Sequence, residues 1–126
     1  NFKIRFSGID APESYYKGKS QICNSLTSGE KIFCGNISKK VLKDKIKNQF
    51  VICIPENIDR YKRIIAECFL KQESISSFMV RNGYAFDYVK YSKGKYQSEQ
   101  NFAKENKLGL WAMKFEYPWS WRKINK

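Results

Sequence analysis

A mixed α and β domain, of the α+β class, is predicted for this 126-residue chain by three observations. Apolar residues alternate near the start, and β-branched residues cluster between 50 and 70. Apolar residues also recur at helical spacing in three other stretches. A hydrophobic content of 42% with 16% aromatic residues suits one modest core, so a single domain over residues 1–126 is expected.

The first element is a strand. In FKIRFSGI (2–9), Phe2, Ile4 and Phe6 share one face and Lys3 and Arg5 the other, as in a half-buried strand. Gly8 marks a bend or bulge. Residues 14–35 are polar and punctuated by glycine, which reads as a long loop in need of a staple. A Cys23–Cys34 disulfide would supply one, adding roughly 2–3 kcal/mol. From Asn36 the period changes: Ile37, Val41, Leu42 and Ile46 form a helical stripe among Lys39, Lys40, Lys43 and Lys47, with Asn36 or Ser38 as the cap.

FVICIP (50–55) is a short strand ended by Pro55, NIDRY a turn, and RIIAECFL (63–70) a second strand. The hairpin they form brings Cys53 opposite Cys68 and predicts a second disulfide, subject to a Cα separation below about 7 Å. SISSFMVRNG (74–83) is a helix with Ile75, Phe78 and Met79 inward and Gly83 at its stop. YAFDYVKY (84–91) is aromatic and irregular. Residues 96–111 form a last helix ended near Gly109, with Phe102 and Leu108 inward. The tail YPWSWRKINK is either a base-stacking platform or a cover for the core. Packing is the preferred reading.

Twenty-four basic residues against 12 acids give a net charge of +12, which favours a polyanionic partner. No apolar run approaches the ~18 residues of a membrane span, so no membrane partner is expected. There is no histidine, and the four cysteines include no C-x-x-C pair, which argues against zinc and against a redox thiol. Two disulfides imply an oxidising compartment. Nucleophilic triads of the Ser-His or Cys-His type are excluded, and no glycine-rich phosphate loop is present.

Acids, arginines and tyrosines remain. Asp10 and Glu13 flank Pro12 in a tight turn and repel one another unless a positive group lies between them: a metal ion, the Arg5 guanidinium, or both. DRYKR (59–63) adds Asp59, Arg60, Tyr61 and Arg63. Arginine forks match phosphate oxygens. A hard cation on carboxylates polarises the same phosphate, and a glutamate can activate water. The chemistry suggested is phosphodiester hydrolysis.

The set Arg5–Asp10–Pro12–Glu13, Asp59–Arg60–Tyr61–Arg63, Arg81–Gly83–Ala85 and Lys107–Leu108–Leu110–Trp111 keeps its order across nearly the whole chain. It resembles the staphylococcal nuclease (thermonuclease) family. The cysteine placement and PWSW are similar to its exported bacterial branch. The resemblance implies an OB-type five-stranded Greek-key barrel with three helices, and Ca²⁺-dependent cleavage of DNA and RNA that leaves 3′-phosphates. It implies Asp10 and the carbonyl of Ala11 as Ca²⁺ ligands, and Glu13 as general base or water-orienting acid. It assigns Arg5 and Arg63 to the phosphate clamp and Tyr61 to the nucleotide phosphate. Arg60 stands where the family often has lysine, and the base-stacking position falls on either Tyr88 or Tyr91.

The family also carries a G-D-[ST] turn upstream, whose aspartate is a second Ca²⁺ carboxylate, and this chain holds no such turn. Two barrel strands are therefore expected to be missing, with sheet completion by another chain left open. A catalytically inactive nucleic-acid-binding module is the alternative function, and a domain that completes its sheet with a partner strand is the third.

Overall fold

The β-branched runs at 50–70 do fold into the longest ladder. The computed structural model describes residues 3–126. Its strands are β1 (Ile4–Phe6), β2 (Ile9–Asp10), β3 (Cys23–Ser25), β4 (Lys31–Ile32), β5 (Ile52–Ile58), β6 (Ile64–Leu70), β7 (Glu73–Ser74), β8 (Phe86–Asp87) and β9 (Met113–Lys114). Its helices are α1 (Cys34–Ile46), α2 (Ile75–Arg81), α3 (Val89–Ser92), α4 (Gln97–Glu105) and α5 (Pro118–Ile124), with a 3₁₀ turn at Gly109–Ala112.

β5 and β6 pair antiparallel with Cys53 opposite Cys68, and the two form a disulfide with Cα atoms 4.0 Å apart. Pro55 does not end β5 as the sequence suggests. The strand runs on to Ile58 through a register shift between Pro55 and Asn57. Proline is tolerated there because β5 is an edge strand and the ladder is irregular at that point. β1 adds to the other side of β6 in parallel, with Arg5 level with Ile65. Two smaller ladders join β2 to β8 and β4–β3–β9.

The mixed α and β content agrees with the sequence, but among the described residues no barrel closes. The ladders are separate, and β1 and β5 each keep an unpaired outer edge. Closure needs hydrogen bonding all the way round. Ile52, Ile54 and Ile58 of β5 are exposed, as is Ile4 of β1. Phe2, expected beside Ile4, lies outside the described residues.

Among the described residues five α-helices stand where three were expected. The additional ones, α3 and α5, are too short to be stable alone and depend on packing. α1 starts at Cys34, earlier than the predicted caps Asn36 and Ser38, and has no side-chain cap. The Cys23–Cys34 disulfide, with Cα atoms 5.7 Å apart, pins that end instead. Within the expected loop, β3 and β4 form a small hairpin that β9 extends. In α4 the buried residue is Ala103. Phe102, read as inward, is partly exposed under the Arg81 guanidinium, 3.9 Å from its ring centroid.

The core gathers Ala66, Cys68 and Leu70 of β6 against Ile75, Met79 and Val80 of α2, with Ile9, Ala85 and Tyr96. One carboxylate borders it. Glu67 of β6 accepts hydrogen bonds from Lys95 Nζ (2.7 Å), Ser74 Oγ (3.0 Å) and Tyr96 Oη (3.0 Å). Burial alone would raise its pKa; the bonds from Lys95, Ser74 and Tyr96 outweigh burial and hold it below the ordinary value. A depressed folded-state pKa contributes stability above the unfolded value, and that stability is lost as pH falls through the folded one. Glu67→Gln is therefore expected to cost about 1–2 kcal/mol at neutral pH. The gap from wild type should shrink between pH 5 and 3, as read by urea denaturation at each pH; a gap independent of pH would contradict this.

Candidate active site

Gly8, with φ of +74°, turns the chain from β1 into β2. β2 then carries Asp10 into the interior, paired with Phe86 of β8. Asp10 is only 6% exposed, and its Oδ1 accepts from the backbone N–H of Ala11 at 3.0 Å.

The backbone holds Glu13 from two directions. Its N–H donates to the side chain of Gln21 at 3.1 Å, and its carbonyl accepts from the Gln21 N–H at 2.9 Å. On the other side lies Gly35, where a Cβ would fall 2.0 Å from the Glu13 carbonyl oxygen, so no side chain fits there. Gln21 is fully buried, and its Nε2 reaches the Glu116 carbonyl at 2.8 Å. Through Gln21 the acidic turn is fastened to the segment entering α5.

The protein cation between the two acids is not Arg5. It is Arg122 of α5. Its Nη2 donates to Asp10 Oδ2 at 2.5 Å, while Nη1 spans Asp10 Oδ1 at 3.2 Å and Glu13 Oε2 at 3.0 Å. Burial would lower the Arg122 pKa, but Asp10 and then Glu13 outweigh it and drive the pKa above its ordinary value, so the guanidinium stays charged.

Aromatic packing puts Arg122 there. Trp119 stacks between Tyr88 and Tyr117, at centroid distances of 4.9 Å on each side. Trp121 meets the edge of Tyr16, and Pro118 opens the helix at a position suited to it. Arg122 follows Trp119 by three residues, on the same side of the helix. The tail is packing, as preferred from sequence: Trp119 packs against the cluster around Phe86 and Leu110.

The other expected residues share one cleft of about 1750 Å³ with this turn, namely Arg5, Ala11, Arg60, Tyr61, Arg63, Tyr88 and Tyr91. Strand alternation explains the arginines: Arg5 is level with Ile65, and Arg63 lies two residues from Ile65, so both project from one face. Arg63 is oriented by Asp59, whose Oδ2 accepts from its Nε at 2.7 Å. Burial would raise the Asp59 pKa, but hydrogen bonds from Arg63 and Tyr61 hold it below the ordinary value. Asp59 is thus the partner of Arg63 and the organiser of the turn, also accepting the N–H groups of Tyr61 and Arg63. Arg60 and Arg63 both lie over the Tyr61 ring, 5.1 and 5.5 Å from its centroid. Tyr91 is 63% exposed and meets Tyr88 edge-on at 4.9 Å.

The donor set does not fit Ca²⁺ as it stands. Calcium takes six to eight oxygens. Among the described residues no group of three or more acidic, histidine or cysteine side chains gathers to hold a metal, and Arg122 engages both cleft acids. Sequence reading missed Arg122 and Gln21. The signal for Arg122 was present, as an acid pair in want of a cation and a basic tail. Nothing local in the sequence marks Gln21.

Residues 3–113 match the sequence model of a family described as staphylococcal nuclease homologue. An uncharacterized endonuclease of Haemophilus influenzae is 33% identical over 128 residues, taking in 100% of this chain and 63% of the relative. The staphylococcal-like nuclease CAN1 of Arabidopsis thaliana is 29% identical over 97% of this chain and 33% of its own length. A probable endonuclease, LCL3, of Komagataella phaffii is 31% identical over 87% of this chain and 49% of its own length. The chain thus spans between one third and just under two thirds of these relatives.

Gln21→Ala is expected to leave the Glu13 N–H and the Glu116 carbonyl without partners, at a cost of about 1–3 kcal/mol. Chemical denaturation measures it. An unchanged midpoint would show that the bridge holds nothing.

Proposed function

The chain belongs to the staphylococcal nuclease homologue family, and on that premise we propose that it acts as one domain that hydrolyses phosphodiester bonds in DNA and RNA and leaves 3′-phosphates. One observation carries the proposal: Arg5 and Arg63 line the same cleft as the Asp10–Glu13 turn. Two guanidinium groups lining one cleft can hold the non-bridging oxygens of a phosphodiester and offset the charge that grows on them in the transition state. Asp59 already orients Arg63, which lowers the cost of placing it.

Glu13 is the acid for the attacking water. Its Oε2 is taken by Arg122; among the described residues its Oε1 has no hydrogen-bond partner. The water proton passes to Glu13, the new P–O bond forms, and the bond to the 5′-oxygen breaks. That oxygen is protonated from solvent. Tyr61 and Arg60 border the cleft where the nucleotide phosphate would lie, and the exposed Tyr91 beside Tyr88 offers a ring for a base. The net charge of +12 draws the polyanion in.

The family resemblance points to Ca²⁺ at Asp10 and Ala11. The donors do not fit that ion as they stand, because Arg122 engages both acids. The two disulfides support an oxidising, exported setting.

A second reading, a nucleic-acid-binding module without catalysis, is favoured by the engagement of both acids by Arg122. Single-stranded DNA incubated with CaCl₂, and separately with EDTA, separates the two. Products that Glu13→Gln abolishes are expected. Salt-sensitive binding with no products in either buffer would instead establish the second reading. Arg63→Ala is expected to slow single-turnover cleavage about a hundredfold or more, as for loss of a donor to a developing oxyanion; near-normal turnover would remove Arg63 from the clamp.

A further inference from the structure

We infer that Arg122 is a built-in counter-cation, and that its pairing with Asp10 and Glu13 excludes a divalent ion from those carboxylates. The geometry gives three reasons. Both Asp10 oxygens accept from the Arg122 fork, and Oδ1 also accepts from the Ala11 N–H, so an ion approaching Asp10 meets the guanidinium at either oxygen. Of Glu13, Oε2 is held by the same Nη1, so among the described residues only Oε1 is open to an ion. A charge this close to both acids would also repel a divalent ion directly.

The guanidinium is not loosely placed. The Tyr88–Trp119–Tyr117 stack, the Tyr16–Trp121 contact and the Gln21–Glu116 bridge all anchor the segment that carries it. The bridge runs through Gln21 to Glu13 itself, so the acid and its cation are fixed by one buried side chain. Removing the Arg122 charge leaves Asp10 buried and uncompensated, which is the condition that recruits another cation. The balance between the two cations is a coupling between α5 and the acidic turn. It does not require the domain to cut nucleic acid.

The test is calcium binding without nucleic acid. Isothermal titration of metal-free protein with CaCl₂ is expected to show Arg122→Gln binding about ten- to hundredfold more tightly than wild type, within the usual range of coupling between linked sites. CaCl₂ should raise the melting temperature of Arg122→Gln more than that of wild type. Asp10→Asn in the Arg122→Gln background should abolish both effects. Equal affinity in wild type and Arg122→Gln, or no detectable binding by either, overturns the inference.

Should Arg122→Gln fail to fold, Arg122→Met, which removes both charge and fork but keeps an apolar stem, carries the test and is expected to bind CaCl₂ more tightly than wild type; affinity equal to wild type overturns the inference. Cleavage assays decide the nuclease reading separately, so the two can fail independently.

Discussion

Two carboxylates in a tight turn of a basic protein need a cation, and the guanidinium of Arg122 supplies it from the far end of the chain. Much else in the domain serves that contact. The aromatic stack docks α5, Gln21 ties the entry of α5 to Glu13, and Gly35 lets α1 press against the Glu13 backbone. A buried carboxylate such as Asp10 is costly unless paired and hydrogen-bonded. The tail is therefore part of the site's electrostatics as well as a cover for the second core cluster around Phe86, Leu110 and the Cys23–Cys34 bridge.

The phosphate-facing side of the cleft is built differently. Arg5 lies in β1 and Arg63 immediately before the parallel neighbour β6, where continuing the strand alternation puts both on one face. Asp59 then selects the orientation of Arg63, and the rings of Tyr61 and its flanking arginines crowd the turn. Rigid strands set the position of the clamp, whereas a short helix held by side-chain stacking sets the charge beside it. The two halves differ in how readily they move: ladder hydrogen bonds resist displacement, while a helix of seven residues depends on its packing.

Hairpin, helices and both disulfides were legible in the sequence because each rests on local pattern. β-branched runs pair, periodic apolar stripes pack, and a loop holding two cysteines closes on itself. The family motifs placed Arg5, Asp10, Glu13, Tyr61 and Arg63 in one region by their order along the chain. Several local readings still gave way to tertiary context. Pro55 did not end β5, because an irregular edge strand tolerates it. Phe102 did not turn inward, because Arg81 covers it at the surface.

From residue types and spacing alone came the charge balance, the absence of histidine chemistry, the cysteine pairing and the need for a cation at Asp10 and Glu13. Tertiary structure decided which cation it is. Arg122 stands 112 positions beyond Asp10, and no periodicity or motif links positions so far apart. Their meeting depends on the stacking of Tyr88, Trp119 and Tyr117 and on one buried glutamine, and these contacts exist only once the chain has folded around them.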